Sequence, residues 1–227
     1  MKNIVIVGCS RGIGKELVSI LSCDNNVLAL SRNTSRLAEF TNDKNVKSAT
    51  FDVSKNDSKS TLTQIINSHF KTVDVLINNA GMLINKSILD ITQNDIETIY
   101  KTNVFGLIQS CQAVIQFMKK NGGHIVNIGS MGGFQGSSKF PGLSIYSSSK
   151  AAVASFTECL AEELKNDNIK ANCLALGAAQ TEMLNEAFPG YEAPLSANEM
   201  AQFIADFSLN TAKWINGKVL PISISTP

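Results

Sequence analysis

Short apolar runs, many of them β-branched, alternate along this chain with longer stretches in which apolar residues recur at helical spacing. The runs predict strands over residues 4–7, 27–30, 46–51, 73–77, 124–128, 169–176 and 218–224. The stretches between them predict helices over residues 12–21, 62–70, 92–120 and 146–165, and a last helix that begins near Ser196. This alternation predicts a parallel sheet built from βαβ units, with helices covering both of its faces.

Local signals refine this picture. Thr92 with Asp95, and Ser196 with Glu199, have the spacing of capping boxes, which predicts that a helix starts at each pair. Residues 188–194 contain two prolines and a glycine, which predicts an irregular loop within the segment 182–197. Because the 227 residues contain no repeat and no linker, we predict that residues 1–227 form a single domain.

Composition narrows the class of protein. The formal net charge is +1, so we expect no basic face of the kind that binds nucleic acid. The apolar run at the N-terminus ends at Ser10 and is too short for a signal peptide or a membrane span, so we expect a cytoplasmic protein without a membrane partner. The five cysteines are scattered and the chain has only two histidines, so we expect no metal site.

The first predicted strand runs directly into a glycine-rich turn, Gly8-Cys9-Ser10-Arg11-Gly12-Ile13-Gly14, that opens the first predicted helix. Residues without side chains let the backbone approach a pyrophosphate closely, and the start of a helix supplies N–H donors to it. An ordinary tight turn can also use glycine, so the motif alone leaves both interpretations open. Strand, turn and helix nevertheless come in the order that a dinucleotide-binding site needs.

The second predicted strand ends at Ser31-Arg32. A site specific for NAD(H) would place a carboxylate here to bind the ribose 2′-hydroxyl, and this chain has none. Arg32, together with Arg11 of the glycine turn, offers forked donors that suit the 2′-phosphate of NADP(H). The sequence therefore favours NADP(H) over NAD(H), although Arg32 as a plain surface charge remains the alternative.

A candidate catalytic group follows the fifth predicted strand. Tyr146 and Lys150 are four residues apart, so they share one face of a predicted helix. Ser130 comes directly after the strand, at the end of the sheet where ligands of open α/β folds bind. Each signal is weak alone, because the pair arises by chance on many helices and Ser130 could simply cap a loop.

Together these motifs resemble the short-chain dehydrogenase/reductase family, and the resemblance covers essentially the whole chain. Further residues that match the family's motifs are Asp52-Val53, Asn78-Asn79-Ala80-Gly81, Asn103, Ala179 and Thr181. The resemblance implies a Rossmann-type doubly wound α/β sheet of about seven strands. It places the Asp52-Val53 pair at the adenine, residues 79–81 along the cofactor, and Ala179 and Thr181 near the nicotinamide. The chain departs from the family pattern at Val7 and Leu176, where threonine and proline are usual.

The resemblance also implies a reaction, the transfer of hydride between a nicotinamide cofactor and a carbonyl or secondary alcohol. Tyr146 would donate or accept the proton. The Lys150 ammonium, together with the cationic nicotinamide of the oxidised cofactor, would lower the pKa of this tyrosine from its ordinary value of about 10. Ser130 would hold the carbonyl oxygen. By resemblance, Asn103 supports a water that links Lys150 to solvent, and Lys150 also holds the nicotinamide ribose.

The family's two long helices build a dimer interface, which implies a homo-oligomer, either a dimer or a tetramer. The apolar residues that we expect on these helices at such an interface are Phe105, Ile108, Val153 and Phe156.

Other functions and many substrates stay open. A serine hydrolase built on Ser130 is excluded, because it needs a downstream histidine and none follows His124. A nucleotide-binding regulatory protein without catalysis remains an alternative, because a fold does not fix a function. Acyl thioesters, steroids, sugars and small ketones are all compatible with the sequence as substrates of a carbonyl or 3-oxoacyl reductase.

Overall fold

The computed structural model describes residues 1–224 and contains a seven-stranded sheet. The strands are β1 (Asn3–Val7), β2 (Asn26–Ser31), β3 (Val46–Thr50), β4 (Val75–Asn78), β5 (Gly123–Ile128), β6 (Ile169–Leu176) and β7 (Val219–Ile222). Their order is β3-β2-β1-β4-β5-β6-β7, and all neighbouring pairs are parallel. The predicted α/β sheet is confirmed, and residues 225–227 of the predicted domain lie outside the described residues.

Seven α-helices of the described chain connect these strands. They are α1 (Gly12–Ser22), α2 (Ser58–His69), α3 (Gln93–Tyr100), α4 (Gly106–Met118), α5 (Ser144–Glu163), α6 (Glu182–Ala187) and α7 (Ala197–Asn210). Between residues 1 and 224, no helix combines the length and the apolar character needed to cross a membrane.

The helices cover the two faces of the sheet, as the continuous apolar strands predict. Val5 and Val7 of β1 belong to a core cluster with α2, α4 and α5. Ile4 and Ile6 point the other way and belong to a second cluster with α1 and α7. The doubly wound arrangement is therefore a direct result of strands that are apolar on both faces.

The predicted helix over 92–120 is interrupted. Both predicted capping boxes are present, one at Thr92 at the start of α3 and one at Ser196 at the start of α7. However, a π-helical turn at Lys101–Phe105 separates α3 from α4. Such turns often occur at functional sites, and this one buries Asn103 completely.

Candidate active site and cofactor site

The predicted site residues gather at the carboxyl ends of the central strands. The chain winds outward from β1 in both directions, so β1 and β4 flank the point at which the strand order reverses. Gly8 follows β1, Asn79 follows β4, Ser130 follows β5 and Gly177 follows β6. Crevices at such a point are where open α/β sheets bind their ligands.

The glycine turn packs tightly between β1 and the loop after β4. Gly8 has a φ of +91°, and a Cβ on it would lie 2.5 Å from the backbone of Ala80. A Cβ on Gly14 would lie 2.1 Å from the carbonyl oxygen of Gly8. The side chain of Asn79 fixes the turn, because its Nδ2 donates to the same oxygen at 2.6 Å. The turn thus presents bare backbone at the start of α1, as a bound pyrophosphate would require.

The residues predicted at the adenosine end lie around the end of β2. Ser31 is buried, and its hydroxyl donates to the carbonyl oxygen of Asn33 at 2.7 Å. Partial burial would raise the pKa of Asp52, but hydrogen bonds from Ser54 and the nearby Arg32 guanidinium outweigh that effect and lower it. Val53 is buried beside α4. This end of the site therefore has a cation, Arg32, beside an ionised carboxylate.

Arg11 does not join Arg32 in the structure. Its guanidinium donates two hydrogen bonds to the carboxylate of Glu186 on α6, one of them at 3.0 Å between Nη2 and Oε2. The two cations that the sequence offers to a 2′-phosphate thus have different partners.

Tyr146 and Lys150 lie on one face of α5, as predicted from their spacing. The Nζ of Lys150 is 5.9 Å from the centre of the Tyr146 ring, and it donates to the carbonyl oxygen of Ile128 at 2.8 Å. Lys150 is only 5% exposed. Burial lowers its pKa to about 8, although the nearby Cys173 opposes the shift. A buried ammonium held by a single carbonyl retains donors for another partner.

The hydroxyl of Ser130 lies beside the phenol of Tyr146. Ser130 also caps the turn that follows it, because its Oγ accepts from the N–H of Gly132 at 3.1 Å. Burial raises the pKa of Tyr146, and the nearby Ser130 hydroxyl offsets only part of that effect. The sequence predicts that Lys150 lowers the pKa of Tyr146, but among the residues of the chain this pKa is raised. Removal of the phenol from water favours its neutral form, and this effect is larger.

Asn103 connects three parts of the site from within the π-helical turn. Its Oδ1 accepts from the N–H of Met82 at 2.7 Å, and its Nδ2 donates to the carbonyl oxygen of the same residue at 2.9 Å. Nδ2 also donates to Oγ of Ser149 at 3.0 Å, and that hydroxyl donates to the carbonyl oxygen of Tyr146 at 2.7 Å. Asn103 thereby fixes the loop after β4 against the helix that carries Tyr146.

The remaining predicted residues lie at the same end of the sheet, in a cleft that we infer from the positions of the glycine turn and α5. A Cβ on Gly81 would lie 3.6 Å from Nζ of Lys150. Ala179 is buried, and Thr181 caps α6 by accepting from the N–H of Leu184 at 3.2 Å. The methyl group of Thr181 is 3.2 Å from the position of a Cβ on Gly12, so the start of α6 contacts the glycine turn.

Comparison with known proteins identifies the family. The model of the short chain dehydrogenase family matches residues 2–192, which include the glycine turn, Ser130, Tyr146 and Lys150. The chain belongs to the short chain dehydrogenase family. It is 30% identical to the 3-oxoacyl-(acyl-carrier-protein) reductase FabG of Chlamydia trachomatis serovar D, across 97% of this chain and 95% of that protein. It is also 34% identical to carbonyl reductase family member 4 of Danio rerio, across 79% and 76% of the two chains.

Solved structures resemble this short chain dehydrogenase over nearly its full length. The structure of ElxO with NADP bound has a TM-score of 0.85 and 27% identity, and the match covers 98% of this chain and 97% of ElxO. A gluconate 5-dehydrogenase from Burkholderia cenocepacia has a TM-score of 0.87, across 98% and 93% of the two chains, but at 23% identity it supports the fold alone. The chain is thus an oxidoreductase with a Rossmann-type fold.

Two residues of this short chain dehydrogenase were missed by sequence reasoning. Ser149 is one of three consecutive serines between Tyr146 and Lys150, and only this one is fully buried. A helical wheel would have placed it beside the face that carries Tyr146 and Lys150. Glu186 gave no signal, because its partner Arg11 is 175 residues away along the chain.

Proposed function

We propose that this short chain dehydrogenase transfers hydride between NADP(H) and a carbonyl or secondary alcohol, with Tyr146 as the general acid and base. The placement of the Ser130 hydroxyl beside the phenol of Tyr146 is the observation that carries the proposal. It brings a proton donor and a second hydroxyl together at the end of β5, where both can reach one substrate oxygen.

The residues at the cleft fit a dinucleotide. Gly8 and Gly14 leave no room for side chains, so the backbone of the turn can approach a pyrophosphate. Near the end of β2 the cation Arg32 suits a 2′-phosphate, and ElxO, a structural relative, has been solved with NADP bound. When bound, the nicotinamide supplies or accepts the hydride. We propose that the other cofactor contacts come from Ser10, Ile13, Val53, Ala80 and Ala179, and from the further residues predicted above.

The chain itself handles the proton. A half-buried Tyr146 with a raised pKa is protonated near neutral pH, which is the form that donates to a carbonyl oxygen during reduction. Ser130 donates to the same oxygen and stabilises the charge that develops there. Lys150 holds its ammonium within the cleft, where it would stabilise tyrosinate after the transfer. Asn103 and Ser149 hold the backbone of α5 so that Tyr146 stays in place.

We extend the proposal to the whole molecule. Residues 1–227 act as one domain in the cytoplasm, and segment 182–197 contacts the substrate. The relatives from Chlamydia trachomatis and Danio rerio are a 3-oxoacyl-(acyl-carrier-protein) reductase and a carbonyl reductase, which favours a 3-oxoacyl thioester or a simple carbonyl compound as the substrate.

Phe105, which is 52% exposed on the π-helical turn, supports a homo-oligomer. Val153 is buried within the subunit core and is not part of such a surface, contrary to expectation.

The test is turnover with purified enzyme. Absorbance of the reduced nicotinamide reports kcat/KM for NADPH and for NADH against a panel of ketones and 3-oxoacyl thioesters. We expect turnover of at least one class, with NADPH preferred. NADPH binding without turnover of any compound in the panel would contradict the proposal and favour a regulatory protein.

Variants near the end of β2 sharpen this test. Arg32→Ala should remove most of the preference for NADPH, because it deletes the cation offered to the 2′-phosphate. Ser31→Asp should move the preference towards NADH, because a carboxylate accepts from the ribose 2′-hydroxyl and repels the phosphate. Lys44→Ala, at the opposite end of the sheet, is the control and should behave as the wild type.

A further inference from the structure

Helix α6 carries two carboxylates next to the glycine turn. Glu182 and Glu186 are four residues apart, so they lie on the same side of the helix. Oε2 of Glu182 is 3.4 Å from the position of a Cβ on Gly12, and Glu186 accepts both hydrogen bonds from Arg11. Negative charge therefore lies directly beside the turn at which we propose that a cofactor's phosphates bind.

The contact between Glu186 and Arg11 uses the part of the guanidinium that best recognises anions. A carboxylate that accepts from two guanidinium nitrogens occupies one edge of the planar fork. The same edge is what a phosphate group needs for a two-point contact. While Glu186 holds Arg11, that edge cannot bind a 2′-phosphate.

Glu186 also lies within electrostatic reach of a second cation, Arg36, which follows β2. The carboxylate thus partly neutralises the positive charge at the adenosine end of the cleft. Arg32, by contrast, lies near Asp52 and has no ion pair within residues 1–224. Of the two cations predicted for the 2′-phosphate, only Arg11 is occupied by a carboxylate of α6.

We propose that Glu186 is a determinant of cofactor specificity, because its carboxylate competes with the 2′-phosphate of NADP(H) for the guanidinium of Arg11. This inference rests on the proposed function and on the expectation from the sequence that Arg11 joins Arg32 at that phosphate. Binding of NADP(H) then exchanges one anion for another at Arg11 and frees the side chain of Glu186. The backbone at this end of α6 stays held by Asn85, because its Nδ2 donates to the carbonyl oxygen of Ala187 at 3.0 Å.

The competition is modest in size, because both partners are partly exposed to solvent. The side chains of Arg11 and Glu186 are 34% and 62% exposed. Ion pairs of this kind are weak, so removing the carboxylate should change a dissociation constant by about two- to fivefold.

Fluorescence titration of NADPH and NADH without substrate tests the inference. In Glu186→Gln, the Kd for NADPH should fall by about two- to fivefold, and the Kd for NADH should change less. The gain should disappear in an Arg11→Ala background, because the contested group is then absent. Glu163→Gln removes an exposed carboxylate at the end of α5, outside segment 182–197, and should leave both constants as in the wild type.

The outcomes separate this inference from the proposal on which it rests. A wild-type enzyme that binds NADPH no more tightly than NADH, together with an unchanged Kd for NADPH in Glu186→Gln, would overturn both the competition and the proposed preference for NADP(H). A wild-type preference for NADPH with an unchanged Kd in Glu186→Gln would overturn the competition alone. Weaker binding of NADPH by that variant would also overturn it, because the ion pair would then close over the bound cofactor.

Discussion

His124 is a buried titratable residue outside the cleft, where β5 meets β6 and α7. Its Nδ1 donates to the carbonyl oxygen of Ser208 at 3.0 Å, and its Nε2 accepts from Nδ2 of Asn172 at 3.0 Å. Burial lowers the pKa of His124 from 6.5 to about 4, and its bond to Ser208 resists this shift only in part. The folded protein therefore keeps this imidazole neutral at pH values where the unfolded chain protonates it.

This residue predicts a loss of stability in acid. Because the folded pKa lies below the unfolded one, the contribution of His124 is fully present above pH 6.5 and is lost as the pH falls towards 4. Between pH 7 and pH 5 the wild type should lose about 2 kcal/mol of unfolding free energy through this group. Urea unfolding at both pH values measures the loss.

Two variants serve as reference. His124→Gln has no titrating ring, so its stability should fall less between pH 7 and pH 5 than that of the wild type. His69→Gln removes the exposed histidine at the end of α2 and should follow the wild type. An equal loss in His124→Gln and in the wild type would show that another group causes the acid sensitivity.

Burial of individual side chains explains why the pKa shifts at the site could not be predicted from the sequence. The spacing of Tyr146 and Lys150 predicts that they share a helix face, and they do. The direction of their pKa shifts depends on how deeply α5 packs against the sheet, and spacing carries no information about that. The contact of Glu186 with Arg11 could not be predicted either, because the two residues are far apart in the sequence and come together only in the folded chain.

At the scale of elements, apolar patterns were reliable where packing and local preference agree. Strand β6 occupies residues 169–176, as predicted. Its residues are buried almost without a break, as expected of a strand whose two faces are both covered by helices. Strand β4 starts two residues later than predicted, at Val75. The π-helical turn at Lys101–Phe105 left no mark in the pattern, because apolar residues continue through it with helical spacing. Helix α6 was not predicted, because the prolines that follow it in segment 182–197 favour irregular structure.

At the scale of the molecule, the exposed Phe105 predicts self-association. This aromatic ring is 52% exposed between α3 and α4, on the helix pair that the family resemblance places at a dimer interface. We expect light scattering at micromolar protein to give a multiple of the subunit mass of 24.4 kDa. Phe105→Glu should shift the mass towards one subunit, because it places a charge in the interface.

Another exposed aromatic residue provides the control for that experiment. Trp214 is 76% exposed beyond α7, so Trp214→Glu makes a similar change on another surface and should leave the mass unchanged. A wild-type mass near 24.4 kDa would contradict the prediction of an oligomer.

The central claim is that Tyr146 is the acid and base, and a single oxygen tests it most directly. Tyr146→Phe keeps the ring, so the Kd for NADPH should remain that of the wild type. The kcat should fall by about 10²- to 10⁴-fold, because neither Ser130 nor Lys150 can replace the phenol as proton donor. Tyr100→Phe is the control, because it also removes one phenol oxygen. The hydroxyl of Tyr100, on α3, donates to Oγ of Ser148 at 3.1 Å, and Ser148 lies on α5 like Tyr146. Normal NADPH binding by Tyr146→Phe with more than about a tenth of the wild-type kcat would contradict the account.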